Sequence, residues 1–174
     1  MPALNWITLD TPIGPLWLAG TERGVLRVAF AHEDTDALRG ELERLTGVRS
    51  EHSSALLDDA VRQLTDYFEG TRRILDPPLD RRLSAGFRGE VQGGLADIPY
   101  GTTRTYKQIA HRLGRPGAVR AVGTACATNP IPLILPCHRV LRSDGGLGGY
   151  RGGLEAKRWL LHHEGTRSAP GPSK

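Results

Sequence analysis

The stretch IPYGTTRTYKQIAHRLGRPGAVRAVGTACATNP, residues 98–130, sets the architecture of the half of the chain that carries chemistry. Thr105 stands where a side-chain oxygen can cap a helix, and Tyr106 to Leu113 follow with Ile109, Ala110 and Leu113 on one inward face. Gly114-Arg115-Pro116-Gly117 cannot continue that helix and predicts a tight turn. A second helix is expected from Ala118 to Ala127, with Ala121, Val122 and Ala125 toward the core. Two short helices across a four-residue Gly/Pro turn describe a helix-turn-helix. Most helical hairpins bind nothing, so composition has to narrow the reading. Ala, Gly and Thr dominate the second helix, with one arginine, Arg120, at its start. Small side chains let a helix backbone approach another surface closely, but they cannot read base edges as Asn, Gln, Arg or Lys do. Such a helix would meet DNA by shape and backbone. Around it, Arg104, Lys107, Arg112, Arg115 and Arg120 fall between residues 102 and 120 with no Asp or Glu among them, a local cationic footprint.

Upstream of this pair, Phe87, Val91, Leu95 and Ile98 mark another helix. Gly89, Gly93 and Gly94 weaken it by up to ~1 kcal/mol each relative to Ala, so burial must hold it. Earlier still the pattern changes. Trp6, Ile7 and Leu9, then Leu16 to Leu18, then Val25, Leu26, Val28 and Phe30 read as a strand meander turned at TPIGP and at Gly20 to Gly24. A helix capped by Thr35 should carry Leu38, Leu42 and Leu45 and end at Gly47; another should carry Leu57, Ala60, Val61, Leu64 and Phe68 and end at Gly70. The expected fold class is therefore α/β (α+β): a small antiparallel sheet with helices, then a mainly helical domain containing the helix-turn-helix. Expected boundaries are 1–70 for a structural domain, 71–84 for a Pro-interrupted linker, 85–165 for the second domain and 166–174 for a disordered tail.

Bulk properties exclude several classes. Over 174 residues, 39% are hydrophobic and 24% charged, an ordinary globular balance. No apolar run approaches the ~20 residues of a membrane span, and the opening MPALNWITLDTPIG lacks the basic and apolar regions of a signal peptide. Only Cys126 and Cys137 are available, a poor disulfide framework that suits free thiols in the cytoplasm. No CxxC or HExxH spacing is present, so neither metal nor cofactor is expected. The net charge of +4 is compatible with a polyanionic partner, although many basic proteins have none.

The chemistry gathers after Asn129-Pro130, in IPLILPCHRV. Ile131 to Leu135 read as an apolar, strand-like run that feeds Pro136, Cys137, His138 and Arg139. A proline before a cysteine fixes the backbone there, and a thiol beside two potential cations can become the nucleophilic thiolate. Most isolated cysteines are packing residues, and Cys126, between two alanines, fits that description. Pro, His and Arg are odd neighbours for such a role at Cys137. Adjacent residues of an extended segment point apart, which disfavours a Cys-His hydrolase.

PCHRV, preceded by NP and RAVG and followed by GGY and a lysine-bearing helix ending in HEG, resembles the O6-alkylguanine-DNA alkyltransferase family. The likeness runs from about Ile98 to Gly165, and TPIGPLWLAG resembles the family's N-terminal opening. The resemblance implies irreversible transfer of an alkyl group from O6-alkylguanine, with O4-alkylthymine a further candidate, to Cys137 itself. It implies His138 as a base acting through a water, Glu164 orienting it, and Tyr106 as proton donor to the departing base. Arg120 would fill the gap left by a flipped nucleotide, and Ala121, Gly123 and Thr124 would face DNA beside Tyr106. Asn129 and Pro132 would organise the loop, backbone groups of Cys137, Val140 and Arg151 would read the flipped base, and Tyr150 would wall the pocket. Lys157 is as readily structural. Expected partners are double-stranded DNA carrying O6-alkylguanine, with no membrane and no obligate protein partner, the chain being a monomer. Where many members carry FQxxVW, this chain has Phe87 to Gln92, losing an aromatic at Gln92. The cysteines that bind zinc in some relatives are absent, so no metal is expected. A lesion-binding relative without the reactive cysteine is the nearest alternative, and a plain helix-turn-helix regulator is a more distant one.

Overall fold

The computed structural model describes residues 2–166, and the chain divides into two compact units after Leu83. The tail expected at 166–174 lies outside the described residues except for Thr166.

The first unit is built on strands β1 (Leu4–Leu9), β2 (Leu16–Thr21), β3 (Gly24–Phe30) and β4 (Ser50–His52) in the order β3-β2-β1-β4. The meander β1-β2-β3 is antiparallel as expected, whereas β4 joins β1 in parallel. Every residue of β2 is buried, because both faces of the sheet are covered. Trp17, Ala19, Leu26 and Ala29 pack with Leu42 of helix α1 (Thr35–Thr46), and Gly20 lets Leu57 close on the other face, just before helix α2 (Asp58–Phe68). Asp34 rather than Thr35 caps α1, its Oδ1 accepting from Ala37 N at 3.0 Å; Gly47 ends it in the left-handed conformation. Along α2 the buried residues are Ala60, Gln63, Leu64 and Tyr67, so the inward stripe is displaced from Val61 and Phe68.

The stretch expected as a linker is tied down over part of its length. Val25 N donates to Pro78 O at 2.9 Å and Asp80 N donates to Val25 O at 2.8 Å. Gly24 permits this approach, since a Cβ there would stand 2.2 Å from the Pro78 carbonyl oxygen. Asp80 is buried and accepts from Thr21 Oγ1 and the Arg82 guanidinium.

The second unit contains helices α3 (Gly86–Gly94), α4 (Tyr106–Arg112), α5 (Val119–Ala127) and α6 (Leu154–His163), with α5 packed against both α3 and α4. Gly114 turns α4 toward α5 at φ +73. Val122 and Ala125 of α5 are buried as expected, but Ala121 is exposed, because the inward stripe of so short a helix spans only part of its surface. A two-residue parallel pair, β5 (Arg104–Thr105) with β6 (Val140–Leu141), was not foreseen; it ties the start of α4 to the segment after Cys137. Among the described residues no helix is long and apolar enough to cross a membrane.

Candidate active site

Residues 131–135 do not form a strand. They make a buried turn in which Leu135 N donates to Ile131 O at 2.9 Å and Leu133 adopts φ +76. Pro130, Pro132 and Pro136 remove the N–H donors a ladder would need. Asn129 supplies the substitute: its Nδ2 donates to Leu135 O at 2.8 Å, and its Oδ1 accepts from Ile131 N at 3.1 Å. Cys137 opens a single 3-10 turn through Arg139.

The last four carbonyls of α5 are all satisfied, which fixes the wall opposite Cys137. Thr128 N donates to Thr124 O, Gln92 Nε2 to Ala125 O at 3.0 Å, Asn129 N to Cys126 O, and Arg151 Nη2 to Ala127 O at 2.7 Å. Gln92, where an aromatic was missed, is thus a buried polar bridge whose Oε1 also accepts from Ser84 Oγ at 2.5 Å. On α4, Thr105 and Gln108 form a reciprocal capping box that presents Tyr106 as the first helical residue.

These elements enclose a pocket of about 590 Å³ lined by Tyr106, Gly123, Cys126, Cys137, Tyr150 and Arg151, among others. Gly148, at φ +72, also lines it, and a Cβ there would stand 2.7 Å from the Tyr106 phenol oxygen. Asn129, Pro132 and Val140 are buried and support the loop without lining the pocket. Arg120, Ala121 and Thr124 are exposed on α5. A second cavity of about 380 Å³ against α3 and α4 is lined by no thiol or imidazole. Among the described residues no cluster of His, Cys, Asp and Glu could hold a metal.

The cations expected beside the thiol are engaged elsewhere. His138 and Glu164 are buried, with His138 Nε2 2.8 Å from Glu164 Oε2. Arg139 grips the same carboxylate through Nε at 2.8 Å and Nη2 at 3.1 Å, and donates from Nη1 to Ile98 O at 2.6 Å. Sequence reading gave Arg139 no such part. Burial pushes the Glu164 carboxyl up, but the hydrogen bonds from His138 and Arg139 outweigh it and hold the group well below the carboxylate range. Burial lowers His138 against the pull of Glu164, so the imidazole is neutral near pH 7. A carboxylate only accepts, which places the ring proton on Nε2 and leaves a lone pair on buried Nδ1, an atom with no hydrogen-bond partner among the described residues.

Burial also raises the Cys137 thiol, opposed by the Asn129 hydrogen bond and then by the charges of Lys157 and Arg151. Cys137 therefore rests as a thiol at neutral pH. Lys157 is fully buried; its Nζ donates to Val140 O at 2.8 Å, to Gly149 O at 3.2 Å and to Leu147 O. It clasps the two ends of the loop that walls the pocket, and burial lowers it to about 8. Burial raises the Tyr106 phenol to about 12, so it is a protonated donor at neutral pH.

A family model described as the DNA binding domain of 6-O-methylguanine DNA methyltransferase matches residues 86–166, and one described as its ribonuclease-like domain matches residues 4–81. The chain belongs to the 6-O-methylguanine DNA methyltransferase family. Methylated-DNA–protein-cysteine methyltransferases from Salmonella typhimurium and Methanosarcina barkeri are 38% and 41% identical to it. The alignments cover 90% of this chain and 93% and 94% of those relatives. Mycobacterium tuberculosis OGT, solved in complex with DNA, superposes with a TM-score of 0.80 at 40% identity, covering 96% of each chain. The O6-methylguanine-DNA methyltransferase of Pyrococcus kodakaraensis superposes at 0.66 with 25% identity, covering 94% of this chain and 99% of that one. The family's α/β fold is thus present in both units, and its DNA-binding half contains the whole pocket.

Proposed function

We propose that the protein repairs DNA by direct reversal, moving the alkyl group from O6 of guanine onto Cys137 and keeping it there. One observation carries the assignment to residues: a buried thiol shares a pocket with a protonated phenol, backed by a neutral imidazole whose tautomer is fixed by Glu164. His138 Nδ1 takes the thiol proton through a water, and Sγ attacks the alkyl carbon. The C–O6 bond breaks with its electron pair on the base, and Tyr106 delivers a proton as guanine leaves. Tyr106 recovers its proton from the imidazolium through solvent, so the thiol hydrogen is in effect exchanged for the alkyl group.

A base stacked in a duplex cannot reach this thiol, so the nucleotide must flip out. The pair α4–α5 acts as the helix-turn-helix. The exposed small face of α5, with Ala121 and Thr124, lies against the duplex, and Arg120 fills the gap in the stack. Phosphate contacts supply most of the affinity. The protein works as a monomer in the cytoplasm, with duplex DNA carrying O6-alkylguanine as its partner. Incubation with excess O6-methylguanine duplex tests the reading: transfer should stop at one methyl per chain, because a thioether is a poor leaving group and burial keeps the pocket's other thiol, Cys126, protonated. Continued turnover, or binding with no transfer at all, contradicts it.

A further inference from the structure

The charged residues that line the pocket are all cationic. Arg142 and Arg151 line it together with two tyrosines and two cysteines, and no carboxylate does. Arg151 is committed to the Ala127 carbonyl. Arg142 sits instead in a tight turn, its N donating to Gly146 O at 2.9 Å and its carbonyl accepting from Gly145 N at 3.0 Å. Its Nη2 meets Asp144 Oδ2 at 2.8 Å, with 61% and 60% of the two side chains exposed. An ion pair so open to water contributes little, and the guanidinium can exchange it for a better placed anion. Its charge is felt at Tyr106 in the same lining, whose phenol is raised by burial while Arg142 pulls the other way.

We propose that Arg142 makes the pocket favour O6-alkylguanines whose alkyl group carries a negative charge, of which the carboxymethyl adduct is a simple case. This rests on Cys137 being the alkyl acceptor. The carboxymethyl carbon bonded to O6 is the one Sγ attacks; the Sγ–C bond forms, the C–O6 bond breaks, and guanine gains the proton the thiol loses. The carboxylate takes no part in bond exchange. It must nevertheless be accommodated beside the sulfur, in a partly desolvated space where an unpaired charge is penalised. A guanidinium offers it paired N–H donors in matching geometry. A neutral carbamoylmethyl group has nearly the same shape and none of the charge, so it isolates the electrostatic part of the preference.

The test is the ratio of transfer rates, kinact over the half-saturating concentration, for carboxymethyl and carbamoylmethyl adducts in otherwise identical duplexes. Phosphate contacts cancel in that ratio. Arg142→Gln should lower it by about threefold to fivefold, the range for a largely exposed charge. Asp144→Asn removes the competing anion and keeps the turn acceptor for Gly146 N, so it should raise the ratio. Ratios equal to wild type in both variants would overturn the assignment. Absence of transfer from methyl as well as from both probes in the wild type would overturn the alkyl-acceptor reading beneath it.

Discussion

Glu164→Gln removes a charge and keeps a shape, which isolates its effect on His138. The pocket should still bind a lesion, while transfer slows by up to about 10²-fold as the imidazole loses basicity. The pH profile carries the sign. His138 is held below its ordinary value of 6.5, so wild-type transfer should hold steady as pH falls to 6.5 and decline only below it. Glu164 pulls that value up, so its loss should move the acid limb further down. An unchanged profile in rapid-quench measurements would mean that His138 is not the base. Tyr106→Phe tests the other proton. Free O6-benzylguanine needs no flipping, so a donor role predicts slowing there too, by about 10²–10⁴-fold. Wild-type rates with the free base would leave Tyr106 only a steric part in flipping.

Arg120 belongs to the scale of the element, because its worth depends on where α5 sits. If it props the gap left by flipping, Arg120→Ala should slow repair within a duplex much more than reaction with free O6-benzylguanine, and equal losses would contradict that. Gln92→Leu should leave the Ala125 carbonyl buried without its donor and cost about 1–3 kcal/mol in thermal unfolding. Several caps and turns were readable in advance, since Thr105 is a local signal and Gly114 and Gly47 are local stops, but the cap of α1 fell on Asp34, one residue before the expected Thr35. Residues 131–135 misled because an apolar run has the same composition in a strand and in a buried turn. Only the three prolines flanking and interrupting it, with Asn129 bonding across it, separate the two. Arg139 and Lys157 were not legible in their roles. Their partners lie 25 residues away at Glu164 and 17 and 10 residues away at Val140 and Leu147, and no local pattern announces such contacts. At Gln92 the sequence marked a lost aromatic but could not show the polar bridge that replaced it.

For the whole molecule, the division of labour follows from where titratable groups lie. In the first unit, titration is displaced only locally, at the Glu22 and Glu43 carboxyls and at the Asp80–Arg82 pair that secures the end of that unit. In the second, a thiol, an imidazole, a phenol and an ammonium are all displaced by burial around one pocket. The family's overall plan was legible because PCHRV with its flanks at the family's spacing is specific, and the relatives share the fold over nearly the whole chain. The central claim is that Cys137, and not the second thiol at Cys126 in the same pocket, receives the alkyl group. After exhaustive reaction with O6-methylguanine duplex, proteolysis and mass spectrometry should find one methyl on the peptide bearing Cys137 and none on Cys126, with Cys137→Ser remaining unmodified while still binding the lesion. Methyl on Cys126, or transfer persisting in Cys137→Ser, would contradict the account.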